Sequence, residues 1–313
     1  MNLVLAALLL ASLAQPPAPQ RAVAITLDDL PKALDSGKLD ETRQTTEAIL
    51  AALKRHNAPA VGFVNEQQLF VPGEMDERIA VLRLWVDAGM VLGNHTFSHP
   101  NLRDTPVERY EDEVIRGEVV TRWLMRPREP YTLWFRHPFT NTGTTKEIKE
   151  GFEAFLRTRG YHIAPHTVEH ADYIFNDLYR RARTAGDAEL QERLRTAYLE
   201  QLDVAFDFFE GLSRETFGRE IPQVLLIHAN DLNADCLDAM LARLEARGYR
   251  FVNLDEAVKD EAYRTPDEYL GTNGPSWLHR WRATLKMPGK LRDEPDPPSW
   301  VLQMYQQARA AGR

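Results

Sequence analysis

Two histidines four positions apart, His95 and His99, are the side chains of this sequence best suited to bind a metal ion. Residues at i and i+4 lie on one face of a helical turn, so both imidazoles could reach the same ion. Neutral imidazole is a ligand for zinc and for its first-row neighbours. The same spacing also fits an ordinary polar surface turn. A catalytic zinc needs a third protein ligand and an open position for water.

A pair of adjacent carboxylates, Asp28 and Asp29, offers that third ligand. The pair directly follows the apolar run at 22–27. Adjacent carboxylates repel each other, and a cation bound by one of them relieves the repulsion. We therefore interpret Asp29, His95 and His99 as a metal site, and we expect Asp28 to remain unligated and to act as a base. Without the histidines, the carboxylate pair would fit a solvated loop or a helix N-cap equally well.

Short apolar strands alternate with amphipathic helices along most of the chain, and they must position these side chains. The pattern predicts strands at 22–27, 60–64, 90–92, 133–135, 161–164, 223–227 and 249–252, and helices at 41–56, 76–89, 106–126, 144–159, 187–217 and 235–247. Such alternation is typical of a parallel sheet covered by helices, in an open or barrel-like α/β fold. Because parallel strands end at one edge, Arg136 after the fourth strand and His228 after the sixth join the same rim.

The whole-chain composition narrows the classes of function. The chain has 313 residues, enough for one large α/β domain or two small ones, and a formal net charge of −8. That charge argues against nucleic acid as the main partner, because phosphate binding needs a clustered basic surface. Cys236 is the single cysteine, which excludes an intramolecular disulfide and a cysteine-based zinc site.

The two ends of the chain carry separate expectations. Residues 1–14 are apolar and uncharged, and this run is too short to span a bilayer. We predict a signal peptide followed by a Pro-rich linker at 15–20, and hence a periplasmic or secreted protein with no stable membrane span after cleavage. The lack of Lys or Arg before the apolar run leaves open an uncleaved anchor or a different start site. Residues 21–265 are predicted to form the catalytic domain, with 266–313 as a C-terminal extension packed on it.

Four short motifs in chain order resemble those of the NodB-type polysaccharide deacetylases, carbohydrate esterase family 4. They are Thr-Leu-Asp-Asp at 26–29, His-Thr-Phe-Ser-His at 95–99, Arg-His-Pro-Phe at 136–139 and Leu-Ile-His at 226–228. The resemblance spans about residues 22–255. It implies a distorted (β/α) barrel as a single domain, and a metal-dependent enzyme that removes acetyl groups from N-acetylated sugars or acetylated polysaccharide.

The resemblance also implies a role for each residue of the metal centre. Asp28 matches the catalytic base of the family. Asp29, His95 and His99 match its metal ligands, and Arg136 matches the arginine that holds the base. The expected metal is Zn²⁺, with Co²⁺ or Ni²⁺ as alternatives.

The remaining motifs imply the proton donor and the oxyanion site. His228 matches the general acid, and Asp172 resembles the acidic residue that tunes it. Phe139 stands where the family has tyrosine, which leaves the oxyanion donor intact if that donor is the backbone N–H. Tyr173 stands where the family usually has tryptophan, and Leu30 replaces the glycine expected after the aspartate pair. These departures bear on the substrate and on the shape of the first loop.

Three functions remain open on the sequence alone. The first is hydrolysis of the acetamido C–N bond in an acetylated carbohydrate. The second uses the same metal site on an O-acetyl ester or a non-sugar amide. The third is a catalytically silent sugar-binding protein, against which the full set Asp28, Asp29, His95, His99 and His228 argues. The identity of the sugar and the oligomeric state do not follow from the sequence.

Overall fold

The strands of the computed structural model form one parallel sheet. The structure describes residues 21–33 and 37–311, so the predicted signal peptide and linker at 1–20 lie outside the described residues. Seven strands pair in the order β5-β4-β3-β2-β1-β6, with β7 also on β1: β1 (Arg21–Leu30), β2 (Ala60–Val64), β3 (Val91–Asn94), β4 (Leu133–Phe135), β5 (Tyr161–Ile163), β6 (Gln223–His228) and β7 (Tyr249–Val252).

Strand β1 is the centre of the sheet because it is long enough to pair with three neighbours. Residues 23–28 pair with β6 along one edge. On the other edge, residues 21–24 pair with β7, and the residues from Ile25 onward pair with β2. Asp28 stands directly opposite His228 in the β1–β6 register. Two of the predicted site residues are therefore neighbours across adjacent strands, about 5 Å apart along the hydrogen-bonding direction.

Side chains of the sheet alternate between a barrel interior and an outer layer of helices. Ala22 and Ala24 of β1 join Phe63, Trp134 and Val224 in the interior cluster, whereas the intervening residues of β1 pack outward in a second cluster under the helices. Since successive side chains of a strand point to opposite faces, Thr26 and Asp28 continue the interior row. The interior is thus apolar at one end and polar where the strands finish.

The sheet curls, and the chain itself crosses its open side. After β5, the backbone N–H of Thr167 donates to the carbonyl of Val224 at 2.9 Å, and Val168 forms a parallel bridge with Leu225. The stretch between β5 and Val168 therefore passes from the last strand of one side to the free edge of β6. This half-barrel confirms the predicted distorted barrel.

Eleven helices within the described residues cover the sheet: α1 (Leu39–Arg55), α2 (Met75–Asp87), α3 (Val107–Arg116), α4 (Val119–Met125), α5 (Lys146–Thr158), α6 (Asp172–Ala185), α7 (Ala188–Phe217), α8 (Asp231–Ala246), α9 (Leu254–Ala257), α10 (Trp277–Thr284) and α11 (Ser299–Ala311). The prediction of a single helix at 106–126 is wrong, because the helix is interrupted at Gly117 and continues as two separate helices, α3 and α4. Helix α6 was not predicted, although its apolar residues recur at helical spacing.

The C-terminal extension contributes two helices to the outer layer. Trp277, Leu278 and Trp281 of α10 and Val301 of α11 are buried in the same cluster as the core of α7 and α8. None of the helices in the described part of the chain is long and apolar enough to cross a membrane.

Candidate active site

The three predicted ligands converge at the polar end of the barrel. Asp29 Oδ1 lies 3.4 Å from His95 Nε2 and 3.3 Å from His99 Nε2. One donor atom from each residue can be chosen so that all lie within 4.8 Å of one another. Such a set offers a cation two imidazole nitrogens and one carboxylate oxygen, which is the ligand count of many catalytic zinc sites.

A bulge in β1 brings Asp29 to this position. The β1–β2 register shifts between Leu27 and Leu30, and Asp29 has a left-handed backbone with φ of 66°. In a regular strand Asp28 and Asp29 would face opposite sides of the sheet, but a bulge redirects side chains locally. Both carboxylates therefore reach the same end of the barrel.

The histidine pair lies on an irregular loop, so the helical turn used to explain its spacing is wrong. His95 and His99 follow β3 with no helix between them, and Thr96 and His99 have φ of 68° and 60°. The break at Gly117 makes room for this loop, because a Cβ there would lie 2.6 Å from the carbonyl carbon of Thr96. Tertiary contacts rather than helix geometry bring the two rings together.

The protonation states suit metal binding. His95 Nδ1 lies 2.8 Å from the carbonyl oxygen of Arg136; because a carbonyl only accepts, Nδ1 is the donor in this contact, which leaves Nε2 as the nitrogen that would bind a metal. Burial lowers the pKa of His99 to about 4, so its ring is neutral at pH 7. Burial alone would raise the pKa of Asp29, but His99 and His95 outweigh it and lower the pKa, keeping the carboxylate ionised.

A buried carboxylate oxygen without a hydrogen bond indicates whether these residues fit a metal. Asp29 Oδ1 is buried and accepts no hydrogen bond. A buried carboxylate oxygen without a partner is costly. Asp29, His95 and His99 would together hold a divalent cation, which would give this oxygen a partner, so the donor set fits the metal that the resemblance implies.

Asp28 lies beside the metal ligands in a separate buried ion pair. Its Oδ2 is 3.5 Å from Arg136 Nη1 and 3.8 Å from His95 Nε2. Arg136 is fully buried, and its Nη2 donates to Thr26 Oγ1 at 3.1 Å and to the carbonyl of Pro165 at 3.2 Å. Thr26 in turn donates to the carbonyl of Leu225 at 2.7 Å. Thr26 was not predicted as a site residue, although it lies two positions before Asp28 on the same face of β1.

His228 and Asp172 form a close pair opposite Asp28. His228 Nδ1 lies 2.7 Å from Asp172 Oδ1, and the backbone N–H of His228 donates to Asp172 Oδ2 at 2.9 Å. Burial would lower the pKa of His228, but the charge and hydrogen bond of Asp172, with smaller contributions from Asp29 and Asp28, raise it to about 10. The imidazole is therefore protonated at pH 7 and can donate a proton from Nε2.

Two asparagines complete the surroundings of Asp172, and sequence reasoning missed both. The side-chain amides of Asn230 and Asn233 donate to Asp172 Oδ2 at 2.9 and 2.7 Å. Asn233 also donates to the carbonyl of His228 at 2.8 Å. Asn230 caps α8 by accepting the N–H of Asn233 at 2.8 Å. An asparagine shortly before a helical run is an N-cap signal, and it could have directed attention to this segment.

Phe139 and Tyr173 both lie at the exposed rim. The Phe139 ring packs edge-on against His99, with centroids 4.7 Å apart, and its N–H donates to no protein acceptor in the described residues. Tyr173 is 44% exposed, next to Asp172 at the start of α6. Two further histidines, His166 and His170, are buried, and neither ring nitrogen of either residue has a hydrogen-bond partner. Neither belongs to the metal-binding group.

Left-handed backbone conformations concentrate in this region. Of the eight non-glycine residues with positive φ in the described ranges, six lie at the site: Asp29, Thr96, His99, Phe139, Thr140 and Ala171. Such conformations cost free energy and persist where surrounding contacts enforce them, typically at functional sites. The structure therefore brings all the predicted site residues to one strained rim, while their catalytic roles stay predictions.

Comparisons with known proteins point to a deacetylase family. The family model described as polysaccharide deacetylase matches residues 15–150, a range that includes the predicted metal ligands, Asp28 and Arg136. A peptidoglycan-N-acetylglucosamine deacetylase of Bacillus cereus is 32% identical over 103 residues, or 33% of this chain and 31% of that protein. An uncharacterised 30.6 kDa protein of Geobacillus stearothermophilus is 22% identical over 233 residues, covering 72% of this chain and 69% of that one.

Solved structures agree with the fold. A family 4 carbohydrate esterase pseudoenzyme of Bacillus anthracis has a TM-score of 0.51 at 17% identity, covering 78% of this chain and 66% of that one. A mutant of that pseudoenzyme with restored enzymatic activity has a TM-score of 0.51 at 18% identity, covering 78% and 69%. Its ordered motifs, its half-barrel and the family model that matches residues 15–150 make the chain similar to the NodB-type polysaccharide deacetylases, carbohydrate esterase family 4.

Proposed function

We propose that this protein is a metal-dependent hydrolase that removes acetyl groups from an N-acetylated carbohydrate. The observation that carries the proposal is the buried Asp29 Oδ1, which has no hydrogen-bond partner and lies between His95 Nε2 and His99 Nε2. A sugar-binding protein has no use for such an oxygen, since burying it without a partner costs free energy. A cation that activates water and substrate accounts for it.

Asp29, His95 and His99 would hold the metal. A divalent cation at this position supplies Lewis acidity, which polarises the acetyl carbonyl and lowers the pKa of a water molecule. Zn²⁺ matches two neutral imidazoles and one carboxylate, and Co²⁺ and Ni²⁺ accept the same donors.

Hydrolysis needs a base and an acid, and we assign these two proton transfers to side chains on the adjacent strands β1 and β6. Asp28 takes the proton of the attacking water, and Arg136 Nη1 lies 3.5 Å from Asp28 Oδ2 and holds the carboxylate in place. His228, protonated because Asp172 raises its pKa to about 10, gives its Nε2 proton to the departing nitrogen. Because Asp28 and His228 are paired across adjacent strands, their side chains leave the sheet on the same face, so one substrate bound at this rim can meet both the base and the acid.

The protonated state of His228 favours an amide over an ester. An amine leaves poorly unless its nitrogen is protonated, whereas an alkoxide from an ester needs less help from a general acid. The unpaired N–H of Phe139 adds a donor for the carbonyl oxygen as negative charge develops on it. Hydrolysis of an O-acetyl ester is the alternative reaction at this site.

The substrate class follows from the family and the relatives. The Bacillus cereus relative is a peptidoglycan-N-acetylglucosamine deacetylase, and we extend its substrate, peptidoglycan or a related N-acetylated glycan, to this chain. Such polymers lie outside the cytoplasm, consistent with the proposed periplasmic or secreted location.

The decisive experiment measures acetate release by zinc-loaded protein from N-acetylated chitooligosaccharide, peptidoglycan fragments and O-acetylated xylan. Two variants separate binding from chemistry. Asp28→Asn should keep zinc, measured by mass spectrometry of the metal, and lose nearly all turnover, whereas His99→Ala should lose both. Arg309→Gln, on the exposed face of α11, serves as the control.

Three results would contradict the proposal. They are absence of acetate release from every amide substrate, full activity in Asp28→Asn, or undiminished zinc affinity in His99→Ala. Faster release from xylan than from the amides would favour the ester alternative.

A further inference from the structure

The loop that carries Phe139 cannot hold its shape by local preference. Phe139 and Thr140 are consecutive left-handed residues, with φ of 54° and 48°. Amino acids with a Cβ rarely adopt this conformation, and two in succession require contacts from elsewhere. Phe139 is also 58% exposed, so its own ring does not anchor the loop in the core.

The contacts come from the C-terminal extension. Thr140 Oγ1 donates to the carbonyl of Gly274 at 2.7 Å, and Asn141 Nδ2 donates to the carbonyl of Gly271 at 2.9 Å. Arg280 Nη2 donates to the carbonyl of Thr140 at 2.6 Å. Residues at least 130 positions away in sequence therefore bind both the backbone and the side chains of the loop.

Arg280 is the central residue of this contact. Its side chain is fully buried, and its Nη1 donates to Thr142 Oγ1 at 2.9 Å and pairs with Asp267 at 3.1 Å. The guanidinium lies 4.0 Å from the centroid of the Trp277 ring. The planar fork of arginine suits this role because it binds Thr140 and Thr142 at once, which a lysine ammonium does less well.

Gly274 sets how closely the extension approaches. A Cβ at this position would lie 1.9 Å from Thr140 Oγ1 and 2.1 Å from the carbonyl oxygen of Phe139. The second of these atoms belongs to the backbone of the loop, so it cannot swing aside. The extension fits against the loop only because residue 274 lacks a side chain.

We propose that the C-terminal extension fixes the oxyanion donor, with Arg280 and Gly274 as positioning residues that hold the Phe139 N–H towards the substrate carbonyl. This inference rests on the proposed hydrolase function. The extension reaches the loop through Gly271, Gly274 and Arg280.

The test compares Arg280→Met, Arg280→Lys and Gly274→Ala with the control Val301→Ala. Val301 is fully buried in the same extension, on helix α11, which packs against α6. Its truncation lowers thermal stability without touching Arg280 or Gly274.

We expect Arg280→Met and Gly274→Ala to lower kcat by about 100-fold, the size of losing one oxyanion donor, with KM and zinc content changed less than about twofold. Arg280→Lys should lie between Arg280→Met and the wild type. Val301→Ala should keep its kcat. Should Arg280→Met fail to fold, Thr140→Val removes one hydrogen bond at nearly constant shape and should lower kcat by a smaller factor.

A second measurement does not depend on catalysis. Hydrogen–deuterium exchange of the metal-free protein should show faster exchange at 138–142 in Arg280→Met and Gly274→Ala, but not in Val301→Ala. Unchanged exchange there, or an equal loss of kcat in Val301→Ala, overturns the proposal. A wild type that releases no acetate would contradict the hydrolase function. Faster exchange at 138–142 in the variants would still show that the C-terminal extension holds the Phe139 loop.

Discussion

Replacing Asp172 with asparagine should shift the protonation of His228 by several pH units. Asp172 is 3% exposed and its carboxylate lies 2.7 Å from His228 Nδ1. Asparagine keeps the shape and one acceptor oxygen but removes the negative charge. Burial, which lowers the pKa of His228, then acts against only the smaller contributions of Asp29 and Asp28.

The size of the effect follows from the pKa of His228. The rise from 6.5 to about 10 corresponds to roughly 5 kcal/mol at about 1.4 kcal/mol per pH unit. Because the folded-state pKa is raised, this stabilisation is fully present below the unfolded pKa of about 6.5 and is lost as pH rises through 10. In Asp172→Asn we expect a pKa of about 6.5 or less, so roughly 3% of His228 remains protonated at pH 8.

Two assays check this prediction. NMR titration of the metal-free protein should place the His228 pKa near 10 in the wild type and at or below 6.5 in the variant. In the zinc-loaded enzyme the cation offsets the negative charge of Asp29. The kcat should therefore begin to fall with rising pH at a pH below 10. In Asp172→Asn this fall in kcat should begin at a lower pH than in the wild type. The kcat of the variant should be roughly 30-fold below that of the wild type at pH 8, with a smaller loss at pH 6.

Asp177→Asn is the matched control, since it makes the same charge change on the exposed side of α6, where Asp177 pairs with Arg181. It should leave both the titration and the pH profile unchanged. An unaltered His228 pKa in Asp172→Asn would refute the claim that Asp172 sets the protonation of the proton donor.

Two further predictions concern the surroundings of the site. Asn233→Ala should lower the His228 pKa by less than Asp172→Asn does and cost about 1–3 kcal/mol of unfolding free energy, measured by urea denaturation, because it leaves Asp172 short of a donor. Gly117→Ala should weaken zinc binding, measured by competition with a chelator, because a Cβ there collides with the histidine loop. Gly151→Ala, in α5 with open space around it, should leave zinc affinity unchanged and raise stability by up to about 1 kcal/mol; equal zinc affinities in the two glycine variants would contradict this account.

The alternation of strands and helices was enough to predict an α/β fold with a parallel sheet, and the resemblance of the four motifs implied the distorted barrel. Apolar runs of strand length alternate with helical periodicity, and this pattern arises from local burial, so it is visible without the structure. Chemically competent residues lie at the ends of the strands: Asp28 and Asp29 are the last residues of β1 before Leu30, and His95 and Arg136 directly follow β3 and β4. Their convergence follows because parallel strands end at one edge.

What the sequence could not supply is set by contacts between distant segments. The strand order and the pairing of Asp28 with His228 depend on which edges meet. The left-handed conformations of Asp29 and His99 are imposed by neighbours against local preference, which is why the helical explanation for the histidine spacing failed. Asn230 and Asn233 act through a carboxylate about 60 positions earlier.

The C-terminal extension shows most clearly what the sequence indicates and what only the tertiary structure decides. Its Trp-rich and Pro-rich composition indicates packing on the barrel but not against which surface. Only the tertiary structure brings Arg280 to the carbonyl of Thr140 and the bare backbone of Gly274 against the Phe139 loop. Periodicity reports whether a side chain is buried, whereas the partner it is buried against is decided by the packing of the whole chain.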